Sequence, residues 1–196
     1  MSRTISIVRP PAGRTAFVDD DDIAQCLKEA VGSVRRYVYG RVASGHDGEE
    51  LVQDSLEQAW ARRGTFKGRS SRDLRAWVLG IAVHKVTDYY RRTYRTVRHV
   101  DRSASSETID NATVGEGQST PESAVETREL LAAYQRALES LSEDERNVFV
   151  LYEIEQLKMH EVASALDIPW GTAKSRYKKA REAIKKAVTR AGGGAP

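Results

Sequence analysis

The residues of this chain best suited to chemistry are cationic and hydroxylic, and they gather near its end. Between Trp170 and Arg190 there are eight Lys or Arg against one Glu, a net of +7. Thr172, Lys174 and Ser175 open that segment. Ammonium and hydroxyl groups hydrogen-bond base edges and phosphates, so a helix carrying them suits a DNA major groove. Just upstream, Leu157, Val162, Ala163 and Leu166 mark the apolar face of a short helix. Asp167-Ile168-Pro169 ends it, because proline cannot continue a helix and disfavours helical geometry in the residue before it. Short helix, tight turn and basic helix together read as a helix-turn-helix whose second helix starts near Trp170-Gly171-Thr172. Charge alone would equally fit a solvated surface helix; the three features in order favour DNA.

A second constellation lies in the first half. Between Arg75 and Arg95, Trp77, Tyr89, Tyr90 and Tyr94 interleave with Lys85, Arg91, Arg92 and Arg95. Aromatic rings stack on unpaired bases while cations hold phosphates, which is single-strand binding chemistry. Tyr89 also fits the core face of a helix, and it is assigned there. Trp77 fits either place.

Enzymatic constellations fail on their residues. His160-Glu161-Val162-Ala163-Ser164 has Ser164 where a zincin motif needs its second histidine. His84 and Asp88 stand four apart, but no further ligand cluster accompanies them. There is no phosphate-cradling glycine loop and no nucleophile elbow. The lone cysteine, Cys26, sits beside Ile23 and Leu27 and reads as a small core residue. No metal or cofactor is implied.

The elements that must position these residues are helical. Ile23, Leu27, Val31, Val34, Val38 and Val42 recur every three or four residues behind the acidic run Asp19 to Asp22, one face of a helix with acids at its start. Asp47 with Glu50 reads as a capping box for a second helix bearing Leu51, Val52, Leu56, Ala59 and Trp60. Ser71 reads as the cap of a third, with Leu74, Trp77, Val78, Ile81, Ala82, Val86 and Tyr89. Residues Ser103 to Glu122 hold four carboxylates and no Lys or Arg, the composition of a flexible linker. A helix from about Pro121 and another behind the capping box Ser142–Glu145 lead into the helix-turn-helix.

The expected fold class is all-α: a leader over 1–18, a helical domain over 19–98, a linker over 99–120, a second domain over 121–191 and a tail over 192–196. The 196 residues carry a net charge of only +3, so segregation of charge tells more than its total. No apolar run approaches the roughly 20 residues of a spanning helix. The opening residues lack the continuous apolar stretch of a secretory signal. A reducing cytoplasm is the expected compartment.

Three segments carry a family resemblance. Glu50-Leu51-Val52-Gln53-Asp54, RAWVLGIAVHKVTDYYRR from Arg75, and LESLSEDERNVFVLYEIEQLKMHEVASALDIPWGTAKSRYKKAREAIKK from Leu138 fall in order. Together they resemble regions two and four of the extracytoplasmic-function (ECF) sigma factors of the sigma-70 family. The resemblance implies a subunit that binds core RNA polymerase and directs promoter-specific initiation. It assigns Glu50, Leu51, Gln53 and Asp54 to the clamp helices of the β′ subunit. It assigns Trp77, His84, Lys85, Asp88, Arg91 and Arg92 to the melted −10 element. Thr172, Lys174, Ser175, Arg176 and Lys178 fall to the −35 duplex, with region four also touching the flap of the β subunit. It implies an anti-sigma factor as a further partner. The alternative is a stand-alone helix-turn-helix regulator, which would leave Gly48–Arg95 without a purpose.

Three departures from the family pattern stand out. Val83-His84 replace a common Arg-Asn, which bears on −10 preference. Lys158 replaces the usual Ser or Thr cap, a loss of roughly 1 kcal/mol. Trp170 stands where a small aliphatic is common; it fits either beneath the turn or against the DNA backbone, and packing beneath the turn is the preferred expectation.

Overall fold

The computed structural model describes residues 20–97 and 121–192, without the side chains of residues 94–97 and 121–127. The leader, the whole linker, the final tail residues and the side chains of Tyr94 and Arg95 therefore lie outside the described residues. Three helices form the first unit: α1 (Asp20–Tyr39), α2 (Gly45–Ala61) and α3 (Ser71–Val97), with a 3₁₀ turn over Arg63–Thr65. Four form the second: α4 (Pro121–Ser140), α5 (Glu143–Phe149), α6 (Met159–Ala165) and α7 (Trp170–Gly192). A π-helical turn, Val150–Ile154, continues α5.

Several helices begin where side chains meet their free N–H groups. Asp20, Asp21 and Asp22 supply negative charge to the first turn of α1. The cap of α2 is Ser44, whose Oγ accepts from Asp47 N at 3.2 Å; Asp47 is one turn inside, not the cap itself. The cap of α3 falls one residue earlier than expected. Ser70 Oγ accepts from Asp73 N at 3.1 Å, and Asp73 Oδ2 accepts from Ser70 N at 3.0 Å. The box at Ser142 and Glu145 is as expected. Lys158 offers no acceptor to α6, but Glu161 Oε2 still accepts from Lys158 N at 2.6 Å, so half of that box survives.

Leu74, Val78, Leu79, Ala82 and Val86 run along α3 and are buried. They meet Val34, Tyr37 and Val38 of α1 and Val52 of α2. The same cluster continues into Val148, Leu151, Leu157 and Val162, so one core runs through both units. A smaller cluster of Ala137, Leu141, Phe149, Ala180 and Ile184 holds α4, α5 and α7 together. The two units are thus packed on each other, where the sequence suggested two separate cores on a tether.

Contact between the units is close and partly polar. A Cβ added to Gly80 of α3 would stand 2.3 Å from the carbonyl oxygen of Ala165 in α6, so only glycine lets these helices meet. Arg36 grips the buried Glu155 with both arms of its guanidinium, Nε to Oε1 at 3.1 Å and Nη2 to Oε2 at 3.0 Å. Tyr37 Oη and Arg41 Nη1 both donate to Asn147 Oδ1 at 2.8 Å, and Arg41 Nη2 reaches Glu143 Oε1 at 2.8 Å. Burial pushes the Tyr37 phenol far above its usual range, so it is a permanent donor there. Glu155 sits at the end of the π-helical turn, and the chain reverses through Gln156, whose φ of 55° is left-handed.

Candidate docking and nucleic-acid surfaces

The first surface is built on α2 and α3. Leu51, Val52, Ser55 and Ala59 bury one side of α2, and Ser55 closes on Leu51 O at 2.6 Å. Leu51 belongs to the core, so it seats the helix and does not itself face a partner. Glu50 and Gln53 are exposed and Asp54 is half-buried, which leaves a polar, acidic ridge. Gln53 Nε2 donates to Glu57 Oε1 at 2.8 Å along that ridge.

Lys85 of α3 donates to Asp54 Oδ2 at 3.0 Å. This bridge joins a residue expected to dock on polymerase to one expected to hold −10 DNA. His84 and Arg92 are exposed, and Asp88 and Arg91 pair with each other at 3.6 Å. His84 and Asp88 share no ion-binding group; among the described residues no cluster of three metal-ligating side chains occurs. Trp77 is half-buried with its ring against Phe66, centroids 5.3 Å apart. Tyr89 is anchored as expected, its Oη donating to Asp47 Oδ2 at 2.8 Å.

The second surface is α7. Ala173, Ala180 and Ile184 are buried and Tyr177 is half-buried, spaced so that they form the inward stripe. Tyr177 also donates to Glu153 Oε1; burial first and that carboxylate second push its phenol up to about 12. Lys174, Ser175 and Lys178 point away from the stripe into solvent, and Thr172 is half-exposed beside them. Arg176 is not brought onto that face: it turns to α5 and pairs with Asp144. Asp167, with φ 52°, forms the tight turn between α6 and α7. Trp170 does not pack beneath this turn; it is 53% exposed, with Lys174 Nζ 5.0 Å from its ring centroid.

The residues that sequence reasoning missed are those of the seam: Arg36, Tyr37, Arg41, Asn147 and Glu155. Their partners lie more than a hundred positions away, and Glu155 resembles any acid at a helix end.

A three-helix unit with an exposed acidic ridge, joined to a helix-turn-helix with an open basic face, is the layout of a transcription initiation subunit. Residues 27–96 match the family Sigma-70 region 2, and residues 131–184 match Sigma-70, region 4. The ECF RNA polymerase sigma-E factor of Salmonella typhimurium (strain LT2) is 34% identical over 152 residues, 77% of this chain and 76% of the relative. That of Escherichia coli (strain K12) is 33% identical over the same share of each. The chain belongs to the ECF sigma factors of the sigma-70 family.

Among solved structures it resembles the sigma factor RpoE of Bartonella quintana, crystallised with the anti-sigma factor NepR. The TM-score is 0.67 and the identity 25%, over 86% of this chain and 98% of that one. It shares its fold with CnrH, solved with the cytosolic domain of CnrY, at a TM-score of 0.55 and 21% identity over 88% and 91% of the two chains. No helix among the described residues is long and apolar enough to cross a membrane.

Proposed function

We propose that this chain binds core RNA polymerase in the cytoplasm and gives it promoter specificity, with residues 19–98 and 121–191 as the two working domains. The observation that carries the reading is the presence on one chain of an outward acidic ridge on α2 and an outward Lys174–Ser175–Lys178 face on α7. Glu50, Gln53 and Asp54 meet basic side chains of the β′ clamp helices, seated by the buried Leu51. Trp77, His84, Lys85, Asp88, Arg91 and Arg92 hold unpaired −10 bases and their phosphates. Thr172, Lys174, Ser175 and Lys178 read the −35 duplex, and Arg176 braces α7 against α5. The polymerase supplies the chemistry, and this chain supplies the address.

Promoter geometry gives the closed arrangement a meaning. Elements centred at −35 and −10 lie about 25 base pairs apart, roughly 85 Å along a duplex. Helices α3 and α6, which belong to the two readers, touch at Gly80 and Ala165. The two readers must therefore part to engage both elements. At roughly 3.5 Å per residue, residues 98–120 reach at most about 80 Å, which is enough once the readers' own dimensions are added. The closed form is thus a form held off the promoter. That RpoE was crystallised with the anti-sigma factor NepR supports an anti-sigma factor as a partner of this chain as well.

Run-off transcription from genomic fragments with purified core enzyme tests the reading. Adding the chain should give promoter-specific initiation at mapped start sites. Tight binding to a duplex by the chain alone, with no effect on core enzyme, would instead identify a stand-alone regulator.

A further inference from the structure

Trp170 is the first residue of α7 and, among the described residues, the most exposed large apolar side chain, at 53%. It contributes nothing to the stripe of Ala173, Tyr177, Ala180 and Ile184 that seats the helix. With 3.6 residues per turn, Trp170 falls on the flank of α7 between the inward stripe and the outward face, one turn before Lys174 at that face's edge. The Lys174 ammonium lies over the indole, 5.0 Å from the ring centroid. A lysine head on a four-carbon stem otherwise sweeps many rotamers, so a ring beneath it fixes where the charge stands. That attraction grows when water is excluded, as it is when a helix enters a groove.

The N-terminal turn of a recognition helix is the part that reaches deepest toward base edges. A side chain on the flank of that turn meets the groove wall, where deoxyribose carbons and thymine methyl groups offer apolar surface. An indole is suited to that surface, and a solvated indole on a DNA-facing turn is otherwise unexplained.

We propose that Trp170 is a determinant of −35 selectivity: its ring lies on the sugar and methyl groups of the groove wall and positions the Lys174 ammonium at a base edge. This rests on α7 being the −35 reader. Trp170 is a positioning residue for Lys174, and Lys174 makes the base contact.

The test uses the whole chain assembled with core polymerase, on the promoter found by start-site mapping and on the same promoter with a transversion in the −35 element. Trp170→Ala, Trp170→Phe, Lys174→Ala and the double alanine variant are compared. Trp170→Ala should lower affinity for the matched promoter about tenfold, the effect of a lost base contact, and for the mismatched one less than twofold. Trp170→Phe should recover most of the loss. The double variant should fall within twofold of Lys174→Ala, because both changes remove one unit. Thermal melting should be unchanged, since the ring is solvated. The proposal is overturned if Trp170→Ala stays within twofold on the matched promoter, if it weakens both promoters equally, or if the two alanine losses multiply. If Lys174→Ala itself changes nothing, the assignment of α7 as reader fails, and the proposal falls with it by a different signature.

Discussion

Asp54 carries two assignments at once. Its carboxylate faces outward on the ridge of α2 and also holds Lys85 at 3.0 Å. Both side chains are partly solvated, so the bridge stabilises the fold by less than about 1 kcal/mol. Asp54→Arg should therefore leave thermal melting nearly unchanged while weakening recovery with core polymerase at moderate salt; full recovery would remove Asp54 from the docking surface. Asp73 makes a different point about charge. Burial works to raise its pKa, but hydrogen bonds from Arg69 and Ser70 outweigh burial and leave it below the usual 3.8. A carboxylate depressed by folding stabilises above its unfolded pKa and loses that contribution as pH falls through the folded value. Wild type should thus melt higher than Asp73→Asn at neutral pH, by the roughly 1 kcal/mol of a helix cap, and the gap should close below about pH 4. Lys174 was visible in the sequence as a cation on a reading helix; Asp73 was not singled out, because the cap was placed at Ser71 and its true partner is Ser70. Arg176 was not separable from its neighbours, because the sequence does not say that Asp144 stands opposite it.

Among elements, helix existence and order were legible because apolar residues recur at three and four, and because Ser, Asp and Pro punctuate the starts. Caps moved by one to three residues, as at Ser44 and Ser70, since several hydroxyls and acids crowd each start and only geometry chooses among them. The π-helical turn over Val150–Ile154 was not legible, because its residues are ordinary helix formers and nothing in their order marks a widened turn. Gly80 was likewise silent: a glycine inside a helix reads as a weakness, and its use appears only when α6 is in place. Gly80→Ala tests this. In isolation alanine favours the helix by about 1 kcal/mol. Here its Cβ would collide with the Ala165 carbonyl. Helical content by circular dichroism should hold or rise while the radius of gyration in solution scattering increases. An unchanged radius would mean that α3 and α6 adjust without parting.

At the scale of the molecule, the seam holds the two units together in the closed form, which on the proposed function must open to reach both promoter elements. Glu155 is fully buried and Arg36 covers it from solvent. Arg36→Ala leaves a buried carboxylate without its partner and should weaken the closed form by about 1–3 kcal/mol, discounted because the arginine is more than half exposed. Scattering should then report a larger molecule, and Arg36→Ala with Glu155→Leu should restore the compact one, as an apolar pair does in place of a buried ion pair. If Arg36→Ala stays compact, the apolar core alone holds the units together.

Because the two faces of that seam belong to one chain, their meeting is intramolecular and is governed by an effective concentration set by the connecting segment. Closing is a unimolecular event, and the ratio of closed to open molecules does not depend on how much protein is present. Diluting the protein a thousandfold should leave that ratio unchanged, whereas doubling the length of residues 98–120 should lower it roughly threefold. Abundance in the cell would then set how many copies compete for polymerase, while the connecting segment sets what fraction of them is ready to do so.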